Sequence, residues 1–359
     1  MKRFFFLLIV FVLFTQISWA GRAQIDTISN DPYVSALVVD ADSGKILFED
    51  HAGAEIYPAS VLKLMVLLVI LERVEQKVLA LDEMVQITRE AAQMGGSQVY
   101  LDPKEQFSVE DLLYALMIQS ANDAAVALAI HVSGSKEGFV SLMNQRAGEL
   151  GMKDTRFYSV HGLPPAQGQK PDKTTAIDLS ILSRELANKP ETFKYTGTVE
   201  REFRDGAFIM RTHNHLLKSI DGCDGFKTGY FKAAGFSIVA TAKRGGVRII
   251  AIVLGSLDRK VRDAKTSELL AKGFALVPPK PKAETVVSKP DTVPVKTKDT
   301  ISPEAEEGLT PSREDDKSLF SRGGLIMFGL GFGSGLIFCA FIAMYRSSSN
   351  RPRRRRRIF

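Results

Sequence analysis

The hydrophobic and polar positions of the chain predict strands near both ends and helices between them. Residues 34–40 and 45–49 form two strand-like runs around the turn at residues 42–44, as in a β-hairpin. Further strand pairs are predicted at 199–204 with 208–213 and at 236–242 with 247–254, and an amphipathic helix at 258–274. Residues 82–187 have a mostly helical pattern. This order predicts an α+β fold in which one antiparallel sheet, built from both ends and flanked by helices, adjoins a mostly helical lobe.

One predicted helix, from Ser60 to about residue 74, is apolar at almost every position. A helix that is apolar on all sides belongs in the core, yet the first turn of this one carries Ser60 and Lys63. A spacing of three residues places both side chains on one face of the helix. A buried lysine is costly unless it is paired or neutral, and a serine beside a neutral amine is a nucleophile beside its base. Ser133 and Lys136 have the same spacing, but their polar, glycine-broken surroundings predict a solvated turn.

A second group of polar residues falls between two helices of the middle region. Ser108 is placed to cap a helix that ends near Gln119, and another helix is predicted to start at about Asn122. The motif Ser-x-Asn at residues 120–122 therefore lies at a helix junction, where side chains can face a cleft. Asn122 and Ser120 are also suited to capping and terminating helices, so the motif alone does not establish a site.

Both ends of the chain are predicted to serve export and anchoring. Residues 1–20 have the charged start, apolar stretch and Ser-Trp-Ala cleavage site of a secretory signal peptide. Residues 281–322 are rich in Pro, Lys, Thr, Glu and Asp, which predicts a disordered linker after the folded body, residues 21–280. The 23 uncharged residues 323–345 are long enough for a transmembrane helix. The arginine-rich tail, residues 346–359, then places the C-terminus in the cytoplasm and the body outside.

The net charge of +6 belongs to the two ends of the chain. Lys2, Arg3 and the seven arginines of the tail are nine of the 47 basic residues, so 38 basic residues face 41 acidic ones in the rest. A nucleic-acid-binding function is therefore not expected. The two cysteines are Cys223 in the body and Cys339 in the predicted span, so the exported part cannot form an internal disulfide.

Three short motifs occur in a fixed order: Ser-x-x-Lys at 60–63, Ser-x-Asn at 120–122 and Lys-Thr-Gly at 227–229. Each is weak alone, and a second Ser-x-Asn occurs at 348–350, but the ordered set is the signature of penicillin-binding proteins and serine β-lactamases. Over residues 33–276 the chain resembles the low-molecular-weight penicillin-binding proteins that are D-alanyl-D-alanine carboxypeptidases. The likeness extends to residues 42–47, 150–155, 161–163 and 224–230.

The chain also departs from that family's usual pattern. Ala121 stands where the family usually has glycine, and Leu62 where it usually has threonine. Neither change removes a catalytic functional group. The family's usual all-β second domain is not expected here, because the predicted linker begins directly after Val277.

The resemblance implies a DD-peptidase/β-lactamase-like fold. Taken with the predicted signal peptide and transmembrane helix, it implies an exported, single-pass protein of the bacterial cytoplasmic membrane. It implies that Ser60 attacks the terminal D-Ala-D-Ala bond of peptidoglycan stem peptides, or a β-lactam, and forms an acyl-enzyme, without metal or cofactor. Further roles are implied for seven other residues. Lys63 is the general base, Ser120 relays a proton to the departing amine, Asn122 holds the substrate amide, Lys227 and Thr228 bind its carboxylate, and Gly229 belongs to the same binding strand. The backbone N–H groups of Ser60 and Tyr230 would form the oxyanion hole.

Three other functions remain open from the sequence. A DD-endopeptidase would use the same residues on a cross-linked peptide, and a catalytically silent wall-binding scaffold would keep the fold, although intact Ser60, Lys63 and Lys227 argue against the latter. A β-lactamase is disfavoured because no Glu-x-x-x-Asn segment lies between the second and third motifs to activate a deacylating water. His161 is interpreted as bracing a loop and Asp178 as a structural carboxylate at a helix start. The sequence identifies no protein partner.

Overall fold

The computed structural model describes residues 22–279. The predicted signal peptide, transmembrane helix and cytoplasmic tail lie outside the described residues, as does all of the predicted linker. Within residues 22–279, no helix combines the length and the apolar character needed to cross a membrane.

The described residues contain nine strands, which we number in chain order. They are β1 Ser35–Asp40, β2 Ile46–Asp50, β3 Met84–Gln86, β4 Gln106–Ser108, β5 Glu200–Phe203, β6 Phe208–Arg211, β7 Cys223–Phe231, β8 Gly235–Arg244 and β9 Val247–Ser256. Five of them form the main sheet in the order β2-β1-β9-β8-β7, with every neighbouring pair antiparallel. The predicted sheet built from both ends of the chain is confirmed, and β7 is one of its two edges.

The nine α-helices of the described residues surround this sheet and form the middle region. They are α1 Lys63–Glu75, α2 Arg89–Ala92, α3 Val109–Met117, α4 Asn122–Ser133, α5 Lys136–Leu150, α6 Ala176–Ala187, α7 Thr192–Thr196, α8 Leu216–Ser219 and α9 Arg259–Leu276. The predicted cap of α3 is confirmed, since Ser108 Oγ accepts from the Asp111 N–H at 3.0 Å. The expectation of an α+β fold with a mostly helical lobe is therefore met.

The two faces of the main sheet bury two separate cores, as the alternation of side chains along a strand requires. In β1, Leu37 and Val39 belong to the larger core with α1, whereas Ala36 and Val38 belong to the smaller core. The smaller core also takes Leu269 from α9. The sheet is thus covered on both faces, by α9 on one side and by the helical lobe on the other.

Two predictions about the sheet and its surroundings need correction. Strands β5 and β6 were expected to extend the one sheet, but they pair only with each other as a separate hairpin. Strands β3 and β4 form another small sheet inside the region predicted to be helical. Each of these two strands has three residues, which is too short to show a period of two against the surrounding helical pattern.

The start of the buried helix also differs from the prediction. Residues Ala59–Leu62 form a 3₁₀ turn, and the α-helix itself begins at Lys63. A 3₁₀ turn has three residues per turn, so side chains at positions i and i+3 lie directly in line. The 3₁₀ turn therefore aligns the Ser60 and Lys63 side chains along one face.

Candidate active site

The structure joins Ser60 and Lys63 as the sequence predicts. Lys63 Nζ lies 3.1 Å from Ser60 Oγ, within hydrogen-bond distance. The lysine is completely buried, while the serine lines an open cleft of about 400 Å³. The serine is therefore accessible to a ligand, and the amine can reach it only from inside the protein.

The partners of Lys63 fix the direction of its hydrogen bonds. Nζ lies 2.6 Å from Asn122 Oδ1, 3.1 Å from the His161 carbonyl oxygen and 3.5 Å from Ser120 Oγ. The amide and carbonyl oxygens can only accept hydrogen bonds. A neutral amine has two N–H groups and one lone pair, so donating to these two oxygens leaves the lone pair for a hydroxyl. Ser60 Oγ is the nearer of the two hydroxyls.

Burial and charge lower the pKa of Lys63 well below its usual value. Loss of solvation is the larger cause and the nearby Lys227 cation the second, while the Asp123 carboxylate opposes both. These effects favour the neutral amine, which is the form that can accept a proton.

Asp123 is a buried carboxylate that the sequence analysis missed. It accepts hydrogen bonds from the backbone N–H groups of Val99 and Leu101, at 3.2 and 3.1 Å, and so ties the 99–101 segment to the start of α4. The acidic residue directly after Ser-x-Asn was the available signal. On its own it is equally typical of the first turn of any helix.

The helix junction presents Ser120 in a conformation that few non-glycine residues adopt. Its φ is +58°, in the left-handed region, where strain is stored mainly at functional sites. The junction is held by Asn122, whose N–H donates to the Ser97 carbonyl at 2.7 Å and whose Nδ2 donates to the Gly95 carbonyl at 2.8 Å. Gly96 must lack a side chain because its Cβ would lie 2.7 Å from Asn122 Nδ2. The segment 95–97 thus fixes the second motif in place.

The third motif lies on β7, which the structure places at one edge of the main sheet. Lys227 is buried, and Thr228, Gly229 and Tyr230 line the cleft. Burial, reinforced by the Arg262 cation, lowers the pKa of Lys227 to about 7. A carboxylate bound nearby would raise that pKa again, because an opposite charge favours the protonated amine.

Gly229 allows β7 to contact the Ser60 turn. A Cβ at this position would lie 2.8 Å from the Pro58 carbonyl oxygen and 3.0 Å from the Ser60 nitrogen. The backbones of the first and third motifs therefore meet beside the nucleophile. Tyr230 follows at the rim of the cleft, stacked on Phe236 with ring centroids 4.1 Å apart.

Four cleft residues were not anticipated from the sequence. Arg259 and Arg262 come from the first turn of α9, and His213 and His215 precede α8. Arg259 contributes a cation to the cleft, whereas Arg262 is buried and already paired with Asp263 at 2.6 Å. No motif marks them, because their placement depends on how α9 packs across β8 and β9. Within residues 22–279, no group of three or more His, Cys, Asp or Glu side chains is arranged to hold a metal ion.

The remaining polar residues have structural surroundings. His161 Nδ1 accepts from the Leu163 N–H at 3.1 Å, and burial lowers the pKa of His161 to about 3, so its ring stays neutral. Asp178 accepts from the Asp154 N–H at 2.9 Å near the start of α6. Burial raises the pKa of Cys223 to about 11, which leaves it a thiol at neutral pH. Lys136, of the second Ser-x-x-Lys pair, contacts Glu90 at 2.7 Å.

The chain matches one protein family over most of its described length. The family, described as D-alanyl-D-alanine carboxypeptidase, matches residues 24–257. The chain is 37% identical over 244 residues to the D-alanyl-D-alanine carboxypeptidase DacF of Bacillus subtilis, covering 67% of this chain and 62% of that protein. It is 35% identical over 289 residues to DacC of Escherichia coli, covering 77% and 70%. The chain thus spans less than two thirds of the length of the Bacillus subtilis relative.

Solved structures agree with the sequence comparison. Penicillin-binding protein D2 from Listeria monocytogenes, in an ampicillin-bound form, superposes with a TM-score of 0.61 at 34% identity, covering 68% of this chain and 98% of that one. Penicillin-binding protein 5 from Haemophilus influenzae gives a TM-score of 0.64 at 31% identity, covering 71% and 73%.

Proposed function

Since the chain belongs to the D-alanyl-D-alanine carboxypeptidase family, we propose that it is a serine-type enzyme that removes the terminal D-alanine from peptidoglycan stem pentapeptides and also binds β-lactams. The observation that carries this proposal is the contact of Lys63 Nζ with Ser60 Oγ at 3.1 Å, in a pocket that lowers the pKa of the amine.

Acylation begins with transfer of the Ser60 hydroxyl proton to Lys63. The lone pair of Nζ faces Oγ because both amine hydrogens are directed to Asn122 Oδ1 and the His161 carbonyl. Oγ then attacks the carbonyl carbon of the scissile bond, and the acyl-enzyme forms as the bond to the departing D-alanine breaks. The backbone N–H groups of Ser60 and Tyr230 are proposed to hold the oxyanion. Gly229 supports this role, because it brings the two chain segments into contact.

The leaving amine requires a proton as the bond breaks. Ser120 Oγ lies 3.5 Å from Lys63 Nζ, so the proton taken from Ser60 can pass through Ser120 to the departing nitrogen. Asn122 Nδ2 donates one hydrogen to Gly95, and its second hydrogen is proposed to hold the substrate amide. Water then attacks the ester carbonyl carbon, and its O–H proton returns through Lys63 to Ser60 Oγ as the ester bond breaks.

The terminal carboxylate is proposed to bind at the cationic side of the cleft. Thr228 lines the cleft directly, Lys227 is buried next to it on β7, and Arg259 adds a guanidinium group, while Arg262 is paired with Asp263. A free carboxylate at the end of the peptide complements this charge. Binding of a free terminal carboxylate favours removal of a C-terminal residue over cleavage within a longer peptide.

The first test is release of D-alanine by the full-length protein purified in detergent. A pentapeptide ending in D-Ala-D-Ala should yield one D-alanine per peptide, whereas the same peptide with a C-terminal amide should react at least about tenfold more slowly because it lacks the charge. The amidated peptide would release D-alaninamide rather than D-alanine, so both rates are measured by liquid chromatography of the shortened tetrapeptide that the two substrates share, and a coupled oxidase assay confirms the free D-alanine from the first. Equal rates on both peptides would contradict the carboxylate site, and no release from either would contradict the carboxypeptidase function.

We further propose that the protein is exported and held by one C-terminal membrane span. This rests on the sequence features at residues 1–20, 323–345 and 346–359, which lie outside the described residues. Residues 281–322, which the composition predicts to be a linker, also lie outside the described residues.

Alkaline carbonate should therefore fail to extract the full-length protein from membranes. A chain ending near Lys280 should instead appear in the soluble fraction and still bind a labelled penicillin, because every residue of the site lies before that point. Extraction of the full-length protein by carbonate would contradict the span. An insoluble or inactive truncated chain would contradict the domain boundary.

A further inference from the structure

The carbonyl that orients Lys63 belongs to a loop, residues 158–163, that is fastened by a buried carboxylate. Asp172 Oδ1 accepts from the N–H groups of Tyr158 and Ser159 at 2.6 and 2.9 Å, and its Oδ2 accepts from Ser159 Oγ at 2.7 Å. Ser159 Oγ in turn accepts from the Gly162 N–H at 2.9 Å. One carboxylate therefore fixes both the start of the loop and, through a hydroxyl, its far end.

Three consecutive residues of this loop lie at the candidate site. The His161 carbonyl accepts from Lys63 Nζ at 3.1 Å. Gly162, with φ of +74°, lies so close to the Ser60 turn that a Cβ would stand 2.0 Å from the Ala59 carbonyl oxygen. Leu163 lines the cleft. A shift of this loop would move the acceptor for one amine hydrogen and thereby turn the lone pair of Lys63 away from Ser60.

The segment that carries Asp172 is anchored directly after that residue by backbone bonds to two other parts of the chain. Lys173 and Arg156 exchange hydrogen bonds of 2.9 and 3.0 Å, and Thr174 and Ile56 do the same. Ile56 lies four residues before Ser60. Asp172 therefore precedes a segment that is bonded to the chain leading to the nucleophile. We expect the backbone at Asp172 to keep its position when the carboxylate loses its charge.

We propose that Asp172 is a positioning residue for the general base: its ionised carboxylate, acting through Ser159, holds the His161 carbonyl where it directs the lone pair of Lys63 at Ser60. This inference rests on the proposed role of Lys63. Asp172 touches neither substrate nor Lys63 and acts only through the loop.

The charge of Asp172 is kept at a cost to folding. Burial outweighs its three hydrogen bonds and raises its pKa from 3.8 to about 6. The titratable groups around Asp172 do not offset this burial of charge. Lys173 is paired with Glu55 at 2.6 Å, the ring of His161 stays neutral, and Tyr57 only lines the same small cavity as Asp172. A raised carboxyl pKa means that the folded state disfavours the ion. The Asp172 charge therefore destabilises the folded state above about pH 6, and this destabilisation is absent below about pH 4.

Asp172→Asn separates this role from a merely structural one. The amide keeps an oxygen for the two backbone N–H groups but presents Nδ2 to Ser159 Oγ, which reverses that hydrogen bond as protonation would. We expect acylation by a fluorescent penicillin at pH 7.5 to slow by about tenfold or more, since small displacements of reacting groups cost up to about 100-fold. The concentration giving half the maximal rate should change less than about twofold, because the proposed carboxylate-binding residues Lys227 and Thr228 lie on β7 and not on this loop.

Stability should move in the opposite direction from activity. At pH 7.5 the unfolding temperature of Asp172→Asn should equal or exceed that of the unaltered protein, and the difference should vanish below pH 4. The matched control is Asp178→Asn, which changes another buried carboxylate that does not contact the 158–163 loop. Its acylation rate should stay within about twofold of the unaltered rate.

A second variant covers the case in which Asp172→Asn does not fold. Ser159→Ala keeps the carboxylate and removes only the hydroxyl linking it to Gly162, and Ser183→Ala is its control, a buried serine bonded within α6. Slow acylation by Ser159→Ala alone supports the inference. The inference is overturned if Asp172→Asn and Ser159→Ala both acylate within about twofold of the unaltered rate. It is also overturned if each variant loses activity only in proportion to its unfolded fraction. If the unaltered protein itself is not acylated at Ser60, the proposed function fails instead.

Discussion

Ser60→Ala should abolish covalent labelling of the full-length protein by a fluorescent penicillin. The hydroxyl of Ser60 is the only atom of that residue that can form the ester, and removal of the nucleophile costs on the order of 10⁶-fold in serine proteases. The fold should be retained, because Ser60 lies at the surface of the cleft and its side chain contacts Lys63 alone among its hydrogen-bond partners in residues 22–279. Gel fluorescence after denaturation measures the label, and a thermal melt confirms folding.

Ser133→Ala provides the matched control, because Ser133 and Lys136 share the spacing of the catalytic pair. Ser133 Oγ donates to the Ala129 carbonyl at 2.8 Å within α4, and Lys136 is paired with Glu90. Its labelling should equal that of the unaltered protein. Loss of labelling in Ser133→Ala, with normal labelling in Ser60→Ala, would show that the other pair carries the nucleophile.

Lys63→Arg should be nearly as damaging as Lys63→Ala, lowering the acylation rate by about 10²–10⁴-fold, the usual contribution of a general base. A guanidinium stays charged and has no lone pair to accept the serine proton. The measurement is the second-order rate of penicillin acylation. Near-normal acylation by Lys63→Arg would show that only a positive charge is needed and would remove the general-base role.

The pH dependence of acylation gives an independent reading of the same residue. Because burial and the Lys227 cation hold the pKa of Lys63 well below its usual value, the neutral, active amine should form at a lower pH than in a solvated lysine. The rate should fall as the pH drops through that lowered pKa and protonates the lone pair. A rate that instead rises only as the pH approaches the ordinary lysine value of about 10.4 would mean that Lys63 is solvated and charged. Lys227→Gln serves as a comparison, since loss of that cation should shift the acid limb to higher pH.

Local chemistry accounts for most of the secondary structure that was predicted correctly. The cap at Ser108, the hairpin at residues 42–44 and the strands β8 and β9 were all identified, because capping, turns and long apolar runs depend on neighbouring residues. The placement of β5 and β6 was not predicted correctly. Their sequence pattern indicates a hairpin but does not show whether that hairpin pairs with the main sheet. The α-helix was predicted to begin at Ser60, whereas Ala59–Leu62 form a 3₁₀ turn. The prediction was wrong because the same run of apolar residues suits a 3₁₀ turn and the first turn of an α-helix.

The order of residues alone specifies which groups are available for chemistry: a serine three residues before a lysine in an apolar helix, a polar helix junction and a lysine on a strand. How these groups act on one another depends on the folded chain. Folding brings Asn122 to 2.6 Å from Lys63 across 59 residues and the His161 carbonyl to 3.1 Å across 98 residues. It also buries the amine completely. Proton affinity depends on solvation and on charges in space, and hydrogen-bond direction depends on distances of a few ångströms. The spacing of residues along the chain determines neither proton affinity nor hydrogen-bond direction. The protonation state of Lys63 and the loop held by Asp172 therefore become visible only in the folded protein.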